Sequence, residues 1–174
     1  MKAFVVDVNV AIVANGRAPQ ADDKCRMVCL EALKTIIYNG MIVLDDGMRI
    51  LKEYMDKLSI SGEPGVGDIF MKWVWENQAF AERCEQVHLV CKENDPEYFM
   101  IFPDDPDLRA FDRSDRKYAA VALASRKNPL LLNAVDTDWW HHRKAFERNG
   151  VRFNFLCPQH MHNNMAGTIK GSII

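Results

Sequence analysis

FVVDVNV, residues 4–10, sets a charged side chain, Asp7, into a run of valines that otherwise has the composition of a buried strand. A carboxylate withdrawn from water without a partner costs several kcal/mol or changes its protonation state, so something must meet Asp7. The same arrangement recurs in LLLNAVD, residues 130–136, where an apolar strand runs directly into Asp136. Ligands of open α/β sheets bind outside the carboxyl ends of the strands, and two aspartates delivered there can face one crevice.

Around these two strands, short β-rich runs alternate with longer helical patterns, which predicts an α/β domain with a mainly parallel sheet. The first strand is expected over 3–8. A helix follows over 21–39, with Met27, Leu30, Leu33 and Ile37 near the helical period and Asn39-Gly40 as its stop. A second strand is expected at 41–44, then a turn at Asp45-Asp46-Gly47 and a helix carrying Ile50, Leu51, Tyr54 and Leu58. SGEPGVG, 61–67, is a loop, with a helix over 68–84 and a strand at 86–91 beyond it. The three prolines and many acids of 93–107 read as an irregular connection. The remaining pattern is helix 114–125, strand 130–133, helix 138–149 closed by Gly150, and strand 151–156. One domain over 1–157 is expected, with an insertion around 60–105 and an extension, 158–174, that shows no period.

The chain has 174 residues, 48% apolar and 26% charged, which suits one folded domain and excludes the disordered class. A net charge of −2 gives no overall attraction to nucleic acid, while leaving room for a local basic face. Cys25, Cys29, Cys84, Cys91 and Cys157 form neither an even set nor a pair of CxxC knuckles, and the chain starts without an export-like segment. No apolar run approaches the ~20 residues needed to cross a bilayer. The expectation is a cytoplasmic protein without a membrane span.

A third aspartate, Asp115, starts the segment DRKYAAVALAS, whose Ala119, Ala120 and Ala122 allow a helix to lie close to a sheet. The opening D-V-N (Asp7, Asn9), a helical glutamate in LKEYMDKL (Glu53), the helix start DRKYAAVA (Asp115) and the strand exit D-T-D-W (Asp136, Asp138) together resemble the PIN-domain nucleases. That family includes toxins of bacterial toxin–antitoxin pairs. The resemblance runs from residue 4 to about 157 and implies a three-layer α/β/α sandwich. It also implies a metal-dependent ribonuclease with Asp7, Glu53, Asp115 and Asp136 at its centre. In that scheme Asp7 and Asp136 hold the main ion, Asp115 completes its shell, and Glu53 orients the water or a second ion. Asn9 positions Asp7 by hydrogen bonding, with Asp112 and Asp138 in reserve. Elementary electrostatics agrees: carboxylates within ~4 Å repel by several kcal/mol at an effective dielectric near 20, so such a cluster requires a cation. An all-oxygen set favours Mg²⁺ or Mn²⁺ over Zn²⁺.

Each residue also has a plainer reading. Asp112, Asp115 and Asp138 suit helix N-termini as caps or as charges on the dipole, and Glu53 suits a solvated helix face. His141 and His142, adjacent on a helix, point about 100° apart and suit the surface better than a shared ion. Trp73, Trp75 and Phe80 offer rings for base stacking, but the spacing of Phe70, Trp73 and Val74 reads first as a core or partner face. Lys52, Arg113, Arg116, Lys117 and Arg143 are the cations available to RNA phosphates. RNA is the expected partner, with an antitoxin protein and a second copy of the chain as further expectations. Two other functions compete: a degenerate PIN-like binding or scaffold domain, and an aspartate-nucleophile phosphatase of the haloacid-dehalogenase kind. The phosphatase needs an acid two residues after its nucleophile, where this chain has Asn9.

Overall fold

The computed structural model describes residues 1–163. Asp7 ends the first strand instead of lying inside it. β1 spans Lys2–Val6, and the valines that follow belong to a helix, α1, Val8–Ala14. Asp7 is the N-cap of that helix: its backbone is extended and its Oδ1 accepts the N–H of Asn9 at 2.9 Å. Val10, Val13 and Ala14 recur at helical spacing and are buried, so the valine run changes period at the carboxylate.

Beyond α1 come α2 (Asp23–Asn39), β2 (Gly40–Asp45), α3 (Arg49–Lys57), α4 (Val66–Asn77) and β3 (Cys84–Val87). The sequence pattern runs the fourth helix on to 84; it stops seven residues earlier, and the strand predicted at 86–91 begins at Cys84. The acidic, proline-containing connection is more ordered than its composition suggests. It holds an antiparallel hairpin of β4 (Cys91–Lys92) and β5 (Asp95–Phe99), outside the main sheet. The chain closes with α5 (Arg116–Ala124), β6 (Leu130–Asn133), α6 (Thr137–Arg148) and β7 (Arg152–Phe155), and residues 158–163 are helical.

Five strands form one all-parallel sheet in the order β3-β2-β1-β6-β7, with helices on both faces: a three-layer α/β/α sandwich. All six residues of β2 are buried, as expected of a parallel strand covered on both sides. The segment around 60–105 adds α4, which packs on α1 and α2, and β3, the sheet edge. Gly67 permits this close approach of α4 to α1. A β-carbon there would collide with the carbonyl of Ala11, and the Gly67 N–H donates to Asn15 Oδ1 at 2.8 Å. On the other flank, α5 lies against β1, β2 and β6 through buried Tyr118, Ala119, Ala120 and Val121. Trp73 belongs to the core and stacks on Phe70, whereas Trp75 and Phe80 are exposed.

Cys25, in the first turn of α2, is disulfide-bonded to Cys157, just after β7; nothing in their 132-residue separation announces this pair. Among the described residues no helix is long and apolar enough to cross a membrane.

Candidate acidic site at the carboxyl ends of β1 and β6

From β1 the sheet grows toward β2 and β3 on one side and toward β6 and β7 on the other. The gap beyond β1 and β6 is therefore the switch point at which an open parallel sheet leaves a crevice. Val6 pairs with Leu132, and the N–H of Asp7 still reaches Leu132 O at 3.1 Å, so Asp7 leaves the sheet level with the end of β6. Asn9 ties the two strand ends together. Its amide donates to Asn133 Oδ1 at 2.7 Å and accepts from Ala134 N at 2.9 Å, while Asn133 Nδ2 donates to Asp136 O at 2.8 Å. Asn9 meets Asp7 through its backbone N–H; its side chain fixes the loop that carries Asp136.

Asp7 is 3% exposed. Its Oδ2 accepts the indole N–H of Trp139 at 2.8 Å, which with the Asn9 N–H gives one donor per oxygen. Two donors do not replace the water lost on burial, and Asp136 and Glu53 add negative charge nearby. Burial first, then these charges, push the Asp7 carboxyl up to about 7. Asp115 closes a 3-10 turn, Arg113–Asp115, at the entrance to α5, and its side chain caps no backbone N–H. Burial, then the charges of Asp7 and Asp136, push it up to about 8, against the opposing pull of Lys117. Asp136 N-caps α6 through Asp138 N at 2.8 Å and is also raised, chiefly by burial. Glu53, on α3, accepts from Tyr118 Oη at 2.7 Å and pairs with Lys117 Nζ at 2.8 Å.

Asp7, Glu53, Asp115 and Asp136 thus converge from four different elements on one crevice, close enough for Asp115 to feel the charge of both strand-end aspartates and of Glu53. They are not drawn into a closed ligand cage. Among the described residues, no three carboxylates place an oxygen each within 4.8 Å of one another. Ligands of one Mg²⁺, at ~2.1 Å from the ion, lie at most ~4.2 Å apart, so no three of these carboxylates could ligate one such ion directly in this arrangement. The all-oxygen donor set, short of protein donors and mutually repelling, fits a hydrated hard cation of that kind.

Two buried aspartates that the sequence reading did not single out show the contrast. Asp45 receives the N–H groups of Arg49 and Ile50 at 2.9 and 3.0 Å and the Arg49 guanidinium at 3.4 Å. Asp68 receives Ser59 N and Gly65 N at 2.7 and 3.1 Å, with Arg17 at 3.6 Å. Both are fully supplied and act as structural caps.

Asp138 accepts from Asp112 N at 3.1 Å and lies 3.1 Å from His142 Nδ1; Asp112 caps the 3-10 turn through Ser114 N at 2.9 Å. The two hold the loop before α5 against α6. His141 is exposed, but His142 is half-buried, with its ring centroid 5.4 Å from that of Phe111.

The predicted phosphate contacts divide. Arg116 is committed internally, donating to Arg109 O and Phe111 O at 3.1 and 3.2 Å beneath the Phe102 ring. Arg113 Nη2 donates to both carboxylate oxygens of Asp95 at 2.7 and 2.8 Å, and Arg143 lies over the Trp140 ring. Lys117 is held on Glu53, and exposed Lys52 lines the same surface hollow as Lys117 and Arg113.

Residues that the first reading passed over complete the site. Trp139 holds Asp7. Tyr118 accepts from Val8 N at 3.3 Å while donating to Glu53, and Tyr54 donates to Val6 O at the end of β1. The signal for Tyr118 was its place three residues after Asp115, which puts it one turn along the same helix face.

The chain matches no family model, no curated protein and no solved structure.

Proposed function

We propose that this protein is a divalent-metal-dependent endoribonuclease of the PIN type, hydrolysing RNA phosphodiester bonds at the crevice beyond β1 and β6. The observation that carries the reading is electrostatic: Asp7, Asp115 and Asp136 come from separate elements to one switch-point crevice, and each holds its proton above the ordinary carboxylate range. A fold gains no stability from such a set, whereas a bound cation relieves it.

Mg²⁺ or Mn²⁺ bound here would supply charge neutralisation for the phosphodiester and a more acidic water. Asp7 and Asp136, fixed by Trp139 and by the α6 N-terminus, would hold the ion, with Asp115 beside them. Glu53, oriented by Tyr118 and Lys117, accepts the proton of the attacking water, and Lys52 meets the RNA backbone. The pairing of Glu53 with Lys117 also favours a second reading, a PIN-like domain that binds nucleic acid without cutting it, since a glutamate neutralised by lysine is a weaker base.

Cleavage of mixed single-stranded and structured RNA, with Mn²⁺, Mg²⁺ or EDTA, separates them. The nuclease reading expects metal-dependent cutting that Asp7→Asn and Asp136→Asn each reduce by about 100-fold or more. Metal-independent cutting, or cutting untouched by both substitutions, refutes it. RNA binding without turnover by folded wild type supports the second reading.

A further inference from the structure

Away from the acidic crevice, three sulfurs meet at the junction of α2 with the segment after β7. Cys25 and Cys29 are four residues apart on α2 and so share a face. The Sγ atoms of Cys25, Cys29 and Cys157 all lie within 4.8 Å of one another, and all three residues are buried. His160 follows Cys157 by three residues in the helical stretch 158–163, its N–H donating to Cys157 O at 3.1 Å. Asp22, Cys25, Cys157 and His160 line one cleft of about 210 Å³, smaller than the ~300 Å³ at which sites for drug-sized ligands begin.

Opening the Cys25–Cys157 bond leaves three thiols clustered closely enough to share one cation. Zinc–sulfur bonds of ~2.3 Å in a tetrahedron put neighbouring sulfurs about 3.8 Å apart, within the span found here. A Cys-x3-Cys spacing within one helical turn, as of Cys25 and Cys29, is one that delivers two ligands from one element. Asp22 is engaged as the α2 cap, its Oδ1 accepting Cys25 N at 2.7 Å, and among the described residues only the three sulfurs cluster within 4.8 Å, so the protein supplies three donors and solvent the fourth.

We propose that the reduced protein binds one zinc-class cation through Cys25, Cys29 and Cys157, with water as the fourth donor, and that the Cys25–Cys157 disulfide is the metal-free, oxidised alternative of the same site. A dithiol reductant supplies two electrons and two protons to split the disulfide, becoming a disulfide itself. The cation then binds as the three thiols lose their protons to solvent. Oxidation by a disulfide-class oxidant reverses both steps and releases the metal. The site joins the start of α2 to the segment that follows β7, so its role is structural and redox-gated. It is independent of the nuclease reading and is tested without RNA.

The test titrates Co²⁺ into the full chain, reduced with a phosphine and kept anaerobic. The expected result is one Co²⁺ per chain with thiolate-to-cobalt charge-transfer absorption, displaced by Zn²⁺ and absent from the oxidised protein. Cys29→Ser, which leaves the disulfide pair intact, should lower that absorption by about one third, as three sulfur ligands become two. Cys84→Ser should leave it unchanged. In case Cys29→Ser does not fold, thiol alkylation of wild type read by mass spectrometry gives a second measurement: Zn²⁺ should protect Cys25, Cys29 and Cys157 but not Cys91, and a chelator should restore labelling. Folded, reduced wild type without charge-transfer absorption, an unchanged spectrum in folded Cys29→Ser, or labelling indifferent to Zn²⁺ overturns the proposal.

Discussion

Asp7→Asn tests the electrostatics of the acidic crevice without recourse to RNA. In chelator-treated protein, the Asp7 carboxyl rises from 3.8 to about 7 on folding. A folded-state value above the unfolded one means that the native protein holds the proton more tightly. The associated stability is complete below about pH 4 and is lost as the pH climbs through about 7. Three units at ~1.4 kcal/mol each give a loss of roughly 4 kcal/mol across that window. Asparagine has no proton to lose, so the variant's pH profile should be flatter by about 4 kcal/mol. Its NH₂ group, set against the N–H of Trp139 or of Asn9, costs about 1–3 kcal/mol at every pH. The variant should therefore be less stable than wild type near pH 4 and more stable above pH 7, by roughly 1–3 kcal/mol in each case. Asp115, relieved of its neighbour's charge, shifts in the same direction and adds to the flattening. Urea denaturation followed by circular dichroism at steps of pH, with EDTA, measures both profiles. Parallel profiles for wild type and Asp7→Asn would refute the reasoning. Trp139→Phe sharpens the test, because it removes a hydrogen bond that lowers the Asp7 value and should move the wild-type transition to higher pH. Mg²⁺ or Mn²⁺ at about 100 times its dissociation constant should return about 2.7 kcal/mol to wild type at pH 8 and little to the variant.

Two further outcomes follow from single contacts. Tyr118→Phe strands the buried N–H of Val8 and leaves the Oε2 of Glu53 to Lys117 alone, and should cost about 1–3 kcal/mol by urea titration; an unchanged denaturation midpoint would mean that this link between α5, α3 and α1 is idle. Gly67→Ala drives a methyl group into the Ala11 carbonyl and should destabilise by about 1–3 kcal/mol, whereas a neutral result in thermal melts would show that α1 and α4 can separate freely.

Local patterning carried most of the architecture. Leu130–Asn133 is a strand with the predicted bounds, α2 ends at Asn39 as its Asn-Gly stop predicted, and the alternation of short β runs with helices led to the parallel sheet. These features depend on neighbours a few residues apart, which the sequence displays directly. FVVDVNV misled for the same reason: three valines and a phenylalanine read as one strand, and the change of period at Asp7 becomes visible only when Val10, Val13 and Ala14 are seen buried together on a helix. The hairpin at 91–99 was hidden because turn-rich, acidic composition reports exposure and not order.

By itself, then, the sequence determined the α/β alternation and placed Asp7, Glu53, Asp115 and Asp136 at element ends or on a helix face, because hydrophobic period and capping chemistry are short-range. The tertiary structure alone decided which buried carboxylates are also supplied with a positive charge. Asp45 and Asp68 are as buried as Asp7, yet contacts brought by folding supply them with N–H groups and arginine, while Asp7, Asp115 and Asp136 face one another. It also decided that Trp139 holds Asp7, 132 residues away, and that Cys25 and Cys29 meet Cys157. Burial and charge act through space, and a chain fixes distances through space only once it has folded.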